Sequence, residues 1–355
     1  MTSFKKYFLY HFRSTFLRFA IIAILCALLT LVSVWYTYGN NYEYYSSENL
    51  SILQTIAIII STIIPILEFL PFKNKRNMDT VLFLPLERRK MAAIHFANGF
   101  LHTVLVNLVC FIVAFFVLSS HSYPFYTWNL FLLFAFTIFG CLIIYAATAF
   151  IFERANTTAD GIIWLIFYAF IGLAVFYAAE DLYGNMIDEV VYSDSTDLIV
   201  GGCLSPYFIL SSLWYTVKAR LIPGFTFVTK GNSVTLTRDM ESATIYKSDI
   251  TGIVLWSVIT PLLIFGLIWL FKNKRAENIG SISSSPFGYK VLLPLLAVSY
   301  LCSYTDIETY VIMLIVMVTG YIIYRRGLRF KPIDYISIAL GLILPSILVS
   351  ISQSI

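Results

Sequence analysis

Few ionisable side chains fall inside the long apolar runs of this sequence, and Glu68 is the first of them. A charged group in hydrocarbon is destabilising unless it is paired or hydrated, so such residues are the first candidates for function. Glu68 stands a little over one helical turn before a basic stretch that contains Lys73, Lys75 and Arg76. An ion pair with this stretch at the inner membrane interface would explain Glu68, and a role in proton or substrate coupling is the alternative.

Two histidines, His95 and His102, are seven positions apart and therefore share one face of a predicted helix. A zinc protease helix instead carries two histidines four positions apart with an adjacent glutamate, and that spacing does not occur. With Asn98 and Asn107, these histidines are better explained as interhelical hydrogen-bonding groups or as a polar lining. We predict no metal ligands, and we expect an intramembrane polar lining from Glu68, His95, Asn98 and His102.

The sequence motifs of enzymes and of carriers are missing. The chain has no GxSxG element and no serine, histidine and carboxylate placed together as a hydrolytic triad. It lacks GxxxxGK(S/T), the loop that cradles nucleotide phosphates. Its 5 cysteines include no CxxC pair. Without an inverted repeat or a charge cluster at mid-membrane depth, an ion-driven carrier is disfavoured. We predict no catalytic residues, no directly bound cofactor and no enzyme activity.

The composition indicates a membrane protein. Of the 355 residues, 59% are hydrophobic and 12% are charged, about half the charged fraction of roughly 25% that is typical of soluble proteins. Nucleic-acid binding has no support. A helix needs about 20 mostly apolar residues to cross a bilayer. Runs of this kind predict nine spans, at 19–38, 50–72, two within 91–152, 161–179, 250–271, 287–304, 310–324 and 335–351.

The positions of the basic residues predict an orientation. With the N-terminus in the cytoplasm, most of the 24 Lys and Arg residues fall in cytoplasmic loops, as the positive-inside rule requires. The others lie in 180–249, a long predicted external segment, and long segments are translocated largely regardless of their charges. This segment combines an uncharged stretch, 198–217, with a predicted β-hairpin that turns at 230–232.

Residues 1–18 are predicted to form an amphipathic helix that lies in the inner interface and leads into the first span. Lys6 and Arg13 lie opposite an aromatic face, and an ordinary basic flank is the alternative. The aromatic face repeats at helical spacing, through Phe4, Phe8, Phe12, Phe16 and Phe19.

The predicted cytoplasmic loop between the second and third spans, 73–90, has the clearest functional pattern. A basic stretch is followed by an apolar patch and then by Pro85, which suits the first position of a helix. An apolar patch on a short charged loop indicates contact with a protein groove or with the lipid surface.

This loop resembles the loop between the second and third spans of ABC-2 type transporter permeases. Residues 76–79 (Arg-Asn-Met-Asp) and 84–90 (Leu-Pro-Leu-Glu-Arg-Arg-Lys) are similar to a run that ends in Leu-Pro-x-x-Arg and leads into the family's third span. Residues 271–278 (Phe-Lys-Asn-Lys-Arg-Ala-Glu-Asn) are similar to the basic sequence after the family's sixth span. The resemblance covers about residues 1–290.

The resemblance implies an all-α polytopic membrane protein with a six-span ABC-2 exporter-type core and a small α+β external segment. Spans one to five would occupy 19–179, and 250–286 would hold the sixth span and a cytoplasmic linker. Residues 287–355 depart from the family, because they add three apolar segments. Nine spans would leave the C-terminus outside.

The function that the resemblance implies is export across a bacterial plasma membrane, powered by separate cytosolic ATPase subunits that carry ATP and Mg²⁺. A second permease subunit, either an identical copy or a sibling, would complete the pathway within the membrane lipid. Loop 73–90 would be the coupling helix that docks into the ATPase. Its contact residues would be Asp79, Leu82, Leu84, Pro85, Glu87 and Arg88.

A second class of function stays open. In it, the chain is a membrane-embedded sensor or scaffold, and its external segment, 180–249, binds a ligand without transport. The sequence does not identify a substrate: 17% aromatic residues suit an amphipathic or lipid-like cargo, but they equally suit packing against lipid and neighbouring spans.

Overall fold

The computed structural model describes residues 3–40, 50–77, 86–120, 127–187, 205–211, 213–214, 224–230, 233–239, 247–274, 277, 279–283, 285 and 288–354. A short 3-10 helix over Leu70–Lys73 directly follows the second α-helix. The main elements are α1 (Ser3–Asn40), α2 (Ser51–Phe69), α3 (Arg88–Ser120), α4 (Thr127–Arg154), α5 (Thr158–Ile187), β1 (Gly224–Lys230), β2 (Ser233–Asp239), α6 (Lys247–Phe271), α7 (Tyr289–Ser303), α8 (Ile307–Arg325) and α9 (Pro332–Ser352).

Eight helices in the described part of the chain are long and apolar enough to cross a membrane. The chain is therefore a multi-pass membrane protein. The seventh of the nine predicted spans differs, because α7 has only 15 residues. At 1.5 Å per residue it is about 22 Å long, shorter than the hydrocarbon core of about 30 Å. Extended backbone at Gly288 and Tyr304 bounds this helix.

The first helix runs without interruption through the predicted boundary at residue 18. It has 38 residues, a length of about 57 Å, and its candidate span begins already at Phe4. In its N-terminal half, Tyr7 and Thr15 contact side chains of α3, and the location of residues 1–18 in the inner interface stays a prediction. The polar residues of this half thus find their partners on a neighbouring helix.

The helices form two compact units. One contains α1, α2, α3, α6 and most of α4, and the other contains the end of α4 with α5 and α7–α9. In the first unit α1 and α3 run parallel, since Tyr7 lies beside His95 and, two turns further along, Thr15 lies beside His102. A parallel first and third span is what a chain that crosses the membrane in alternating directions requires.

In the second unit α7, α8 and α9 pack side by side in alternating directions. The rings of Tyr289, which begins α7, and Tyr324, near the end of α8, are 5.7 Å apart. Small residues allow close approach: a Cβ on Gly320 would lie 2.5 Å from a methyl carbon of Leu293. The hydroxyl groups of Tyr310, early in α8, and Ser346, late in α9, are 2.8 Å apart, so α8 and α9 also run in opposite directions.

The two strands pair antiparallel in the positions predicted for a hairpin. Gly224 is opposite Asp239, and Lys230 is opposite Ser233. The location of this hairpin outside the membrane stays a prediction.

The turn between α8 and α9 depends on one buried ion pair. Arg325 donates to the Asp334 carboxylate from Nε and Nη2, at 2.8 and 2.7 Å, and the backbone N–H of Lys331 donates to the same carboxylate at 2.8 Å. Removing one partner of a buried pair leaves an uncompensated charge, which costs about 3–5 kcal/mol.

We expect Asp334→Ala to lower the free energy of unfolding by about 3 kcal/mol, because Arg325 loses its bidentate partner. Thermal unfolding of the detergent-solubilised chain measures the effect. Asp306→Asn is the matched control, since the exposed Asp306 side chain makes no capping bond at the start of α8. Equal melting temperatures for Asp334→Ala and wild type would contradict this account.

Candidate functional site: a buried carboxylate between two histidines

Glu68 lies on the last turn of α2 and is 1% exposed. One carboxylate oxygen, Oε2, is 2.8 Å from Nε2 of His11 and 3.4 Å from Nδ1 of His95. The other oxygen, Oε1, is 3.4 Å from Nη2 of Arg18. These partners come from α1 and α3, so the Glu68 carboxylate joins three helices.

The predicted pairing of Glu68 with the basic stretch after α2 is wrong. The Nζ of Lys73 instead donates to the carbonyl oxygens of Phe152, Glu153 and Ala155, at 2.6, 3.0 and 2.5 Å. The last carbonyl groups of a helix have no partner within that helix, and a lysine is well suited to satisfy them. Lys75 and Arg76 are exposed.

The partners on α1 follow from helical spacing. Tyr7, His11, Thr15 and Arg18 are separated by four, four and three positions, which puts them on one face. Sequence reasoning missed His11, because the aromatic residues dominate the periodicity of this helix. The signal that could have found it is the polar row itself, which suits a helix that packs against other helices.

Each ring nitrogen of His95 has a polar neighbour. Nδ1 faces the Glu68 carboxylate, and Nε2 is 3.3 Å from the hydroxyl oxygen of Tyr7. The rings of His11 and His95 lie 4.1 Å apart, and the ring of Tyr7 stacks on that of His11 at 6.1 Å. The imidazole of His95 is therefore held in one orientation between α1 and α2.

A second polar layer lies two turns further along α3. The Thr15 hydroxyl is 3.2 Å from Nε2 of His102 and accepts a hydrogen bond of 3.3 Å from the Asn98 amide. The rings of Phe12 and Phe19 stack on the His102 ring, with centroids 4.8 and 4.2 Å away. Both histidines of α3 thus make interhelical hydrogen bonds to α1.

The structure brings the four residues of the predicted polar lining together. Glu68, His95, Asn98 and His102 are all buried in the contact between α1, α2 and α3. Among the described residues, the Asn98 carbonyl oxygen and the Tyr145 hydroxyl have no hydrogen-bond partner. Such unsatisfied buried groups are uncommon in folded proteins, so the cluster and its surroundings have unused hydrogen-bonding capacity.

Gly99 provides the space for Glu68. A Cβ at this position would lie 2.7 Å from Cγ of Glu68 and 2.1 Å from the hydroxyl oxygen of Tyr145. The absence of a side chain on this face of α3 lets the last turn of α2 approach closely, and Glu68 can then reach His95.

The structure describes only some of the predicted ATPase-contact residues. Asp79, Leu82, Leu84 and Pro85 lie outside the described residues. Glu87 and Arg88 are described and exposed at the start of α3.

Glu87 and Arg88 each contact a neighbouring group. Glu87 pairs with Lys90 at 2.8 Å, and this hydrogen bond lowers the pKa of the Glu87 carboxyl. Nη1 of Arg88 is 3.4 Å from the carbonyl oxygen of Lys272, just beyond α6.

A second buried carboxylate, Glu153, lies at the end of α4. Nζ of Lys274 is 2.7 Å from Oε1 of Glu153, and Nε of Arg154 is 3.6 Å from Oε2. Lys73 and Lys274 belong to the two copies of Phe-Lys-Asn-Lys-Arg in this sequence, at 72–76 and 271–275. Each copy therefore supplies one lysine to the end of α4.

Comparison with known protein families, with curated proteins and with solved structures finds no match to this chain.

We expect Gly99→Ala to destabilise the protein by about 1–3 kcal/mol, the usual effect of overpacking a core. The added methyl group would push Glu68 and Tyr145 away from α3. Thermal unfolding in detergent measures the loss.

Gly327→Ala is the control, since a Cβ at that glycine meets nothing within 4 Å. The double variant Gly99→Ala/Tyr145→Phe should lose less stability than the sum of the single variants, because removing the hydroxyl relieves the closest contact. Strict additivity would refute the close packing of Gly99 against Tyr145.

Proposed function

We propose that the chain is the permease subunit of an ABC exporter of the ABC-2 type, which moves its substrate with ATP hydrolysed by a separate ATPase. The observation that carries the proposal is the attachment of both ends of loop 73–90. Lys73, at its start, binds three carbonyl groups at the end of α4. Arg88, at its end, contacts the carbonyl group of Lys272 after α6.

These attachments would let a partner act on several spans through one loop. The loop continues directly into α2 and α3, and its end residues contact the terminal segments of α4 and α6. A push on such a loop would be passed on as a rigid-body movement of helices. In this proposal the loop and the N-terminus face the cytoplasm, where the ATPase is.

The Glu68 cluster supports the same mechanism from inside the membrane. Glu68 lies on the last turn of α2, close to the start of the loop, and His95 lies two turns into α3. Their shared contact ties the two helices that bear the loop to α1. A movement of the loop would therefore also displace α1.

The proposed partner surface combines charge and apolar contact. Glu87 and Arg88 would lie at the rim of an ATPase groove, and Asp79, Leu82, Leu84 and Pro85 would enter it. ATP and Mg²⁺ would bind to the ATPase alone, and a second permease subunit would complete the substrate pathway.

The test is purification of the tagged chain from its native membranes in mild detergent, with ATPase activity measured per mole of chain. We expect activity to accompany the wild type. In Leu84→Asp/Arg88→Glu it should fall to about a tenth or less, since replacing central interface residues commonly costs 2 kcal/mol or more, roughly a factor of thirty. The variant chain itself should stay in the membrane and remain monodisperse.

Leu328→Asp/Arg329→Glu is the matched control, because it makes the same two changes at exposed residues after α8. It should retain the wild-type activity. Undiminished activity with Leu84→Asp/Arg88→Glu would contradict the docking loop. Loss of ATPase stimulation without any change in substrate distribution would favour a membrane sensor instead of an exporter.

A further inference from the structure

We propose that His11, Glu68 and His95 form a binding site for a divalent transition-metal ion, with zinc as the preferred ion. The sequence predicts no metal ligands, because the three donors lie on three different helices, far apart in the chain. The proposal rests on the geometry of the cluster and is independent of the proposed transport function.

The three donor atoms already lie close together. Nε2 of His11, Oε2 of Glu68 and Nδ1 of His95 are all within 4.8 Å of one another. Oε2 is 2.8 Å from the first nitrogen and 3.4 Å from the second. In a tetrahedral zinc site with bonds of about 2.0–2.1 Å, donor atoms are about 3.3 Å apart. The two distances to Oε2 are within about half an ångström of this value, and the two nitrogen atoms, within 4.8 Å of each other, would approach by up to about 1.5 Å to admit the ion.

The donor set determines which ion is expected. Two imidazoles and one carboxylate are the protein ligands of many zinc sites that keep a fourth position for water. Magnesium and calcium prefer sites built from oxygen ligands, so two imidazole nitrogens disfavour them. The ion would replace the proton that His11 and Glu68 share in their hydrogen bond.

Tyr7 provides the support that metal-bound histidines usually have. Its hydroxyl oxygen is 3.3 Å from Nε2 of His95. With the proton on Nε2, His95 donates to Tyr7, and the lone pair of Nδ1 faces Glu68. An outer hydrogen bond of this kind orients the ring, and its loss typically weakens metal binding 10- to 100-fold.

The two oxygen atoms of the Glu68 carboxylate would have different partners. Arg18 contacts Oε1 of Glu68, which leaves Oε2 for the metal. The Arg18 side chain is 42% exposed and that of His11 is 14% exposed, whereas Glu68 is fully enclosed. His11 is therefore the more exposed of these two ligands, on the α1 side of the site.

Bound metal would join α1 to α2 and α3. Each of these helices contributes one ligand, so the ion would stabilise the packed arrangement of all three. Removal of the ion would leave the hydrogen bonds of Glu68 to hold α1 in place.

The test is titration of the purified full-length chain in detergent with Co²⁺, followed by the visible absorption of tetrahedral cobalt and by competition with Zn²⁺. We expect one saturable site per chain and displacement of cobalt by zinc. His11→Ala and Glu68→Gln should abolish the band. Tyr7→Phe should keep the band but raise the dissociation constant by about 10- to 100-fold.

His121→Gln is the matched control, because His121 is the one histidine of the 4 in the sequence that is neither a proposed ligand nor a member of the Glu68 cluster. It should bind cobalt as the wild type does. Zinc should also raise the melting temperature of the wild type and leave that of His11→Ala unchanged. The proposal is overturned if the wild type shows no saturable band, if His11→Ala binds as tightly as the wild type, or if His121→Gln loses binding as His11→Ala does.

Discussion

A carboxylate in the interior of a membrane protein must be paired. The partners of Glu68, which lies on α2, come from α1 and α3. His11 and Arg18 lie on α1, and His95 lies on α3. This explains why the N-terminal half of α1 continues along the bundle, where its polar face meets α2 and α3. If the N-terminal half of α1 did not pack against α2 and α3, Glu68 would lose two of these three partners.

The end of α4 shows the same requirement for a buried positive charge. Lys73 is buried, and the carbonyl groups that end α4 surround its ammonium group. Lys73 donates its hydrogen bonds to those carbonyl groups and is therefore not the partner of Glu68, although Lys73 and Glu68 are only five positions apart in the sequence. Glu68 and Lys73 thus both find their partners on other helices, and sequence proximity does not identify those partners.

The sequence predicts those features that depend on local pattern. Apolar run length locates the eight long helices, and strand pattern with a glycine turn locates the hairpin. It also indicates Glu68, His95, Asn98 and His102 as unusual residues in an apolar setting. It does not reveal His11, since only the packing of α1 on α3 brings that ring to Glu68. The length of α7 is also missed, because apolar composition continues through residues whose backbone is extended.

The contacts of the Glu68 cluster depend on the register of α2 against α1 and α3. Oε2 of Glu68 lies 2.8 Å from His11 and 3.4 Å from His95, and the missing side chain at Gly99 leaves room for Glu68 beside α3. A shift of α2 by one helical turn, about 5.4 Å, would separate Glu68 from both histidines at once. Tightly packed interfaces have alternative arrangements and do not deform continuously. A ligand that binds His11, Glu68 and His95 together would therefore favour the present register of α2 over any shifted one.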